Sequence, residues 1–251
     1  MSNIQTQLNL SAPPIAHYRV EDVGVEVDQQ IHTWPDVSGQ SNHLSSTANN
    51  TRSVSAVTNT GPTLRQTQYV GVGNIERSVF FDMDKMYCEL SNPITSDLVD
   101  VYVVCRMPES WSPGHMMGLE SSTGGDGFSF GRVVNLSNNF QMQDGVSSCV
   151  VPYTRPQFSL YRMSIDSTML SVDNVLIDAQ ATANRSTILD LQTTPFDILT
   201  LGAGVWSSNN SNLCIDGIEI VEVIMFNDIL NNVSHEALAD HLINKHDMRN
   251  K

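Results

Sequence analysis

The sequence has few basic residues and no long apolar run. Its 251 residues include 13 lysines and arginines against 27 aspartates and glutamates, which gives a net charge of −14. This balance argues against a partner that is a nucleic-acid backbone or an anionic membrane surface. No stretch approaches the roughly 18 continuous apolar residues of a membrane span. The polar, uncharged segment 1–11 lacks the basic and apolar regions of a secretory signal peptide, so we predict neither membrane insertion nor export by that route.

Cysteine is also scarce. The four cysteines, Cys88, Cys105, Cys149 and Cys214, form no Cys-x-x-Cys pair, which excludes zinc-ribbon and thioredoxin-type sites. Cys88, Cys105 and Cys214 lie in apolar runs. The sequence therefore predicts buried free thiols at these positions.

Short β segments separated by Gly, Asn, Asp, Ser and Pro clusters dominate the chain. Residues 99–106 are apolar on both faces, which is typical of a central strand. Residues 158–165 and 169–177 lie on either side of an Asp-Ser turn and predict a hairpin.

A single segment has the pattern of a helix. Residues about 234–246 carry an apolar stripe, and Ser234 can serve as the N-cap. Many strands with one terminal helix predict a single β-sandwich. We therefore expect a polar N-terminal tail over residues 1–14 and one domain over residues 15–251.

One loop motif is specific enough to suggest a family. Trp34, Asp36, Ser38, Gly39 and Asn42 follow the order Trp-x-Asp-x-Ser-Gly-x-x-Asn. This order resembles the signature of laminin-G-like, concanavalin A-like lectin and glucanase domains. The resemblance implies an all-β, antiparallel two-sheet jelly-roll sandwich, here followed by one short C-terminal helix.

Elementary chemistry gives this signature a structural role. Trp34 offers a large apolar surface for burial. Asp36, Ser38 and Asn42 can accept hydrogen bonds from backbone N–H groups in a tight loop, and Gly39 can adopt a positive φ.

Later segments resemble the same family. Phe81 lies in a Val-x-Phe-Asp-like strand end, Gly217 and Glu222 lie in the long apolar run near the C-terminus, and Asn227 follows its last aromatic residue. In the family these motifs define the sandwich, so they are structural candidates as well.

The carboxylate motif of sandwich glucanases is absent. Those enzymes carry Glu-x-Asp-x-x-Glu on one strand, whereas the nearest runs here are Asp82 and Asp84 with Glu89, and Glu219 with Glu222. Three residues apart on a regular strand, Glu219 and Glu222 are expected to face opposite sides. The sequence therefore predicts no catalytic residues and no enzyme.

The sequence predicts no cofactor, with a calcium ion as the alternative. Asp82, Asp84, Asp126 and Asp144 lie beside glycine or turn residues, where hard-cation ligands are common. Solvated turn aspartates are the other interpretation.

Two tryptophans are candidate contacts for a ligand or partner. Trp111 and Trp206 lie in Ser-, Pro-, Asn- and Gly-rich segments. A tryptophan in a loop can stack on a sugar ring or a protein partner, or it can fold back onto the sandwich.

From these features we predict a non-catalytic protein on the exterior of an assembly. A phage virion surface protein, such as a capsid decoration or fibre component, fits a lectin-like domain that lacks an export signal. The expected partners are capsid or fibre proteins, surface glycans or further copies of the chain, with the polar tail as a docking arm. A glycan-binding lectin or adhesin and a glycoside hydrolase of the same fold are the alternatives.

Overall fold

The computed structural model describes most of the chain. The residues described are 3–46, 61–66, 77–82, 84–106, 114–123, 127–132, 139–144, 147–152, 158–185, 194–203 and 216–248.

Strands dominate these residues. The first eight are β1 (Pro14–Arg19), β2 (Thr33–Trp34), β3 (Leu44–Ser45), β4 (Thr63–Gln66), β5 (Arg77–Asp82), β6 (Met86–Ile94), β7 (Val99–Arg106) and β8 (Gly114–Glu120). They are followed by β9 (Phe128–Arg132), β10 (Asn139–Gln143), β11 (Ser148–Pro152), β12 (Ser159–Ile165), β13 (Met169–Asn174), β14 (Ala179–Asn184), β15 (Phe196–Leu201) and β16 (Asp216–Phe226).

The strands form two antiparallel sheets that pack face to face. The first sheet has the order β14-β13-β12-β7-β16-β5-β4, with β1 paired to β16. The second has the order β11-β10-β9-β8-β15-β6-β3-β2. The predicted all-β, two-sheet antiparallel sandwich is confirmed, as is the hairpin of β12 and β13.

Strand β7 is central, as its two apolar faces predict. It pairs with β12 on one side and β16 on the other, and all its residues except Arg106 are buried. Val101 faces Met117 of the second sheet across the core. Tyr102 points the other way, where its hydroxyl lies 2.9 Å from Nδ1 of His235.

The predicted C-terminal helix is α2 (Asn232–Lys245). Its N-cap is Asn231 rather than Ser234, because the Asn231 side chain accepts a hydrogen bond from the Ser234 backbone N–H at 2.9 Å. Leu238 and Leu242 are among its buried residues and cover the outer side of the first sheet. Among the residues described, no helix is long and apolar enough to cross a membrane.

The N-terminal segment packs against the sandwich and does not extend from it as an arm. Residues Ile4–Leu8 form a short helix, α1. Ile4 and Leu10 are buried in the main core cluster, and the Ser11 N–H donates a hydrogen bond to Oγ of Ser234 at 2.8 Å. Ile4 and Leu10 of this N-terminal segment are therefore already packed against the rest of the chain.

A β-bulge in β16 corrects one prediction about side-chain direction. Glu219 pairs with Arg106, and Glu222 pairs with Val104 after a register shift at Val221. Arg106 and Val104 lie two residues apart on β7 and so share a face. Since opposite residues of an antiparallel pair also share a face, Glu219 and Glu222 both lie on the outer side of the first sheet.

Candidate functional site

The Trp34 signature builds a loop and not a reaction centre. Trp34 is fully buried, and its Nε1–H donates to the backbone oxygen of Arg19 at 2.9 Å. Asp36 accepts hydrogen bonds from the backbone N–H groups of His17, Ser38 and Asn42 at 2.9, 2.9 and 3.0 Å. These contacts attach the loop to β1.

The remaining signature residues act in the same way. The Asn42 amide donates to the backbone oxygen of Ile15 at 2.6 Å. Gly39 has a φ of 93°, a backbone conformation that favours glycine. Ser38 Oγ donates to Asp36 at 2.8 Å, so the polar groups of this loop satisfy one another.

The other family-like residues also have structural positions. Phe81 is fully buried in the core. Gly217 has a φ of 84° at the register shift between Asp216 and Ile218. Asn227 accepts a hydrogen bond from Oγ of Ser96 at 2.7 Å.

Glu222 is the centre of a buried ionic cluster. Its Oε1 lies 2.7 Å from Nε2 of His17, and its Oε2 lies 2.7 Å from Nζ of Lys245 and 2.8 Å from Nε2 of His246. Burial alone would raise the pKa of this carboxyl, but the hydrogen bonds from His17 and His246 and the charge of Lys245 hold the pKa well below its ordinary value.

Glu219 is also engaged. Its carboxylate accepts from the guanidinium of Arg106 and from Oγ of Ser78, the latter at 2.7 Å. Although the bulge places Glu219 and Glu222 on one face, both are occupied by donors from this chain. They are therefore poor candidates for a pair of reacting carboxyl groups.

The three predicted calcium ligands that lie among the described residues do not come together as a metal site. Asp82 is exposed, Asp84 is buried, and Oδ1 of Asp144 accepts from the Ser147 N–H at 2.7 Å in the turn between β10 and β11. Asp126 lies outside the described residues. In the described part of the chain, no three His, Cys, Asp or Glu side chains come together as a metal centre.

The two tryptophans predicted to contact a ligand, Trp111 and Trp206, also lie outside the described residues, as does Cys214. Of the other cysteines, Cys88, Cys105 and Cys149 are buried free thiols. Burial raises the pKa of the Cys88 thiol to about 11, so it is protonated at neutral pH.

The outer side of the second sheet carries polar and acidic residues on adjacent strands. These residues form two rows that run across the sheet, in which each residue is directly opposite its neighbour on the next strand. We call this side of the sheet the polar face. One row is Glu89 (β6), Ile198 (β15) and Glu120 (β8), and the other is Tyr87 (β6), Thr200 (β15), Gly118 (β8), Ser129 (β9) and Gln143 (β10).

Alternation along the strands shows that this face points away from the core. Leu119 and Leu199, which neighbour Glu120 and Ile198 in sequence, belong to the main core cluster. Tyr87 and Ile198 are buried yet are not members of that cluster. The side chains of the polar face therefore lie outside the core between the two sheets.

Two carboxylates occupy one row of the polar face. Ile198 is directly opposite Glu89 on one side and Glu120 on the other. Glu89 is exposed, whereas Glu120 is 3% exposed. Oγ1 of Thr200 lies 3.5 Å from Oε1 of Glu120.

Neutral polar groups extend the face beyond Glu120. The Gln143 amide donates to Oγ of Ser129 at 3.1 Å. His115 pairs with Gly131 before a register shift in β8, which places it on the same side as Glu120. Burial lowers the pKa of His115 to about 4, so its imidazole is neutral at pH 7.

The sequence did not single out Glu120. It ends a run of otherwise uncharged residues, from Gly114 to Leu119, that forms a completely buried strand. A carboxyl group in an otherwise uncharged, buried strand is the signal that points to it, since glutamates are rarely fully buried. Its position in one row with Glu89 depends on the strand between them, β15, which lies far away in sequence.

Comparison with solved structures supports the sandwich. No protein-family model and no curated protein matches this chain. An arabinofuranosidase complexed with arabinofuranosyl-α-1,2-xylobiose matches with a TM-score of 0.66 and 11% identity, over 97% of this chain and 64% of that chain. The binding domain of botulinum neurotoxin serotype D matches with a TM-score of 0.57 and 10% identity, over 94% and 53%.

A third solved structure is a sialidase from Trypanosoma rangeli in complex with sialic acid. It matches with a TM-score of 0.50 and 11% identity, over 91% of this chain and 32% of that chain. This chain therefore spans less than two thirds of each of the three proteins. The neighbours share its all-β sandwich, while the narrower laminin-G-like assignment stays a prediction.

The comparisons correct the predicted function. They do not support the predicted non-catalytic protein on a virion surface, because the solved structures that match nearly the whole sandwich include glycoside hydrolases. The predicted absence of enzymatic activity is contradicted on the same ground. At 11% identity the likeness itself shows the fold alone, so an activity has to rest on residues of this chain.

Proposed function

We propose that the protein is a glycoside hydrolase that acts through Glu89 and Glu120 of the polar face. The observation that carries this proposal is their pairing: both residues lie directly opposite Ile198, on the same side of the second sheet. Glycoside hydrolysis commonly requires two carboxyl groups on either side of the scissile bond.

The spacing of the strands suits this chemistry. Adjacent strands are about 4.8 Å apart, so two steps across the sheet separate the Cα atoms of Glu89 and Glu120 by about 10 Å. Flexible glutamate side chains on such a backbone can bring their carboxyl groups to about 5–9.5 Å, the range that covers retaining and inverting enzymes.

The unequal burial of the two residues suggests different roles. Glu120 is 3% exposed and, as the more enclosed of the two residues, is assigned as the general acid that protonates the leaving oxygen. Glu89 is exposed and is assigned as the carboxylate that attacks the sugar or activates water. In both routes the proton on Glu120 moves to the glycosidic oxygen as the C–O bond breaks. If Glu89 activates water, the water oxygen takes the place of the leaving oxygen; if Glu89 attacks, water hydrolyses the glycosyl ester on Glu89 in a second step, with Glu120 now accepting the proton of that water.

Other residues of the polar face would orient the sugar. Thr200, Ser129 and Gln143 carry buried hydroxyl and amide groups on neighbouring strands. Oγ1 of Thr200 lies 3.5 Å from Oε1 of Glu120, so it would orient the sugar through that carboxyl group. Tyr87 provides an aromatic ring beside Thr200. This arrangement resembles a binding surface with apolar and hydrogen-bonding contacts together.

The first experiment is a search for the reaction itself. 4-Nitrophenyl glycosides are incubated with the full chain, beginning with the α-L-arabinofuranoside because an arabinofuranosidase shares the fold, and then the pentoside, hexoside and sialoside series. We expect release of nitrophenol from at least one substrate. No release from any of them, together with no release of reducing sugar from arabinoxylan, would overturn the hydrolase.

A second candidate function is glycan binding without cleavage. The observation that favours it is the burial of Glu120, since a carboxylate held away from solvent can also serve only to order neighbouring hydroxyl groups. The two functions are separated by Glu120→Gln: a binding module keeps its affinity for the glycan in this variant and shows no turnover before or after the change.

A further inference from the structure

A polar cavity lies beside the first sheet, away from the polar face of the second. It has a volume of about 340 Å³ and lies between α1, the Trp34 loop, β1 and α2. The residues that line it include Gln7, Arg19, Val37, Glu222, His241 and Lys245. We call it the helix cavity.

The charged groups of the helix cavity are already paired. Arg19 donates to Asp22 at 2.6 and 2.9 Å. Nζ of Lys245 lies 2.8 Å from Glu21 and 2.7 Å from Glu222. With each cation bound to a carboxylate, the cavity is not built to attract a free ion of either sign.

Two neutral polar side chains at the cavity have no hydrogen bond within the described part of the chain. The imidazole of His241 is half-buried, and burial lowers its pKa, so it presents one donor and one acceptor at pH 7. The amide of Gln7 is exposed and adds donors and an acceptor from the opposite wall.

Apolar surface completes the lining. Val37 is partly buried, and Ile4 of α1 is buried beside it. A ligand that fits must therefore present hydroxyl groups that both donate and accept, together with a face of C–H groups. Its size is limited by a volume near the lower end of the range for ligand pockets.

From these features we propose that the helix cavity is a second carbohydrate site that binds one neutral monosaccharide unit without cleaving it. Glu222 is held by three donors of this chain and orders the site instead of reacting. His241 and Gln7 bind the sugar hydroxyls, and Val37 contacts the C–H face. The site lies on the first sheet and does not depend on the proposed hydrolase.

The test is a titration of isotopically labelled full-length protein with D-glucose, D-galactose, D-xylose and L-arabinose, followed by amide chemical shifts. The titration is carried out on the native chain and on Glu120→Gln, so that binding at the helix cavity is compared with and without the proposed general acid of the polar face. We expect at least one sugar to shift the resonances of Gly39, His241 and Lys245 with an affinity in the millimolar range.

Variants decide whether the cavity is the site. The double change His241→Ala with Gln7→Ala should weaken binding by at least about tenfold. Glu236→Gln, an exposed residue of the same helix outside this cavity, is the matched control and should bind normally. Thermal unfolding of each variant checks that the fold is retained.

Three results would overturn the second site. They are the absence of shifts at the cavity for all four sugars, unchanged affinity in the folded double variant, and shifts at the cavity with inorganic phosphate but with none of the sugars. Loss of hydrolysis in the Glu120→Gln background, with sugar binding at Gly39 and His241 retained, would support both sites separately.

Discussion

Nε2 of His17 lies 2.7 Å from Oε1 of Glu222 and joins the first strand of the sandwich to the last. The other carboxylate oxygen holds Lys245 and His246 at the end of α2. One buried carboxylate therefore connects the N-terminal strand, the C-terminal strand and the C-terminal helix, which are distant in sequence.

Replacing Glu222 should destabilise the protein strongly. Glu222→Gln removes the charge at the centre of the cluster and replaces one of its two acceptor oxygens by an NH₂ group that faces buried donors, which costs about 3–5 kcal/mol. Urea unfolding measures the change. The exposed Glu236→Gln is the control, expected within about 0.5 kcal/mol of the native protein. Equal midpoints for the two variants would show that the cluster contributes nothing.

His115 should make stability depend on pH in the weakly acidic range. Its pKa is about 4 in the folded chain and about 6.5 when unfolded, so the unfolded state takes up the proton first as the pH falls. Above pH 6.5 both states are neutral, and between pH 6.5 and 4 stability decreases by about 3 kcal/mol.

The variant His115→Gln isolates this dependence. The decrease in the free energy of unfolding between pH 7 and 4.5 should be smaller in His115→Gln than in the native protein. Chemical denaturation at a series of pH values gives both curves. Parallel curves would mean that the His115 imidazole is protonated as readily in the folded chain as in the unfolded one.

Trp34 should contribute packing more than hydrogen bonding. Trp34→Ala removes a fully buried side chain and should cost about 3–5 kcal/mol. Trp34→Phe retains most of the apolar surface and loses the bond to the Arg19 carbonyl, so the loss of that bond should cost about 1 kcal/mol. The denaturant midpoints of the two variants separate the packing contribution from that of the hydrogen bond. Equal losses of stability in Trp34→Ala and Trp34→Phe would contradict the larger contribution of packing.

The sandwich could be predicted because its determinants are local. The apolar run of β7, the turn before β13 and the Trp34 loop each specify their structure within about ten residues. Local patterns also located α2, but its N-cap moved to Asn231. Both Asn231 and Ser234 are good capping residues, and packing of the preceding chain decides between them.

The candidate site could not be predicted in the same way. The distance between Glu89 and Glu120 depends on the register of β6 and β8 with the strand between them, β15. That strand follows both by more than 70 residues in sequence. A single bulge at Val221 reversed the expected relation of Glu219 and Glu222. Register and bulges follow from tertiary pairing, and one inserted residue transfers a side chain to the opposite face.

The most direct test of the proposed hydrolase compares the rate of glycoside cleavage by the native chain, Glu120→Gln and Glu219→Gln on whichever substrate the native chain hydrolyses. Loss of the general acid should lower the rate by about 10²–10⁴-fold in Glu120→Gln. Glu219→Gln, in which the altered carboxylate belongs to the first sheet, should retain the native rate when both variants are folded. A native rate in Glu120→Gln, or an equal loss in both variants, would contradict a catalytic site on the polar face.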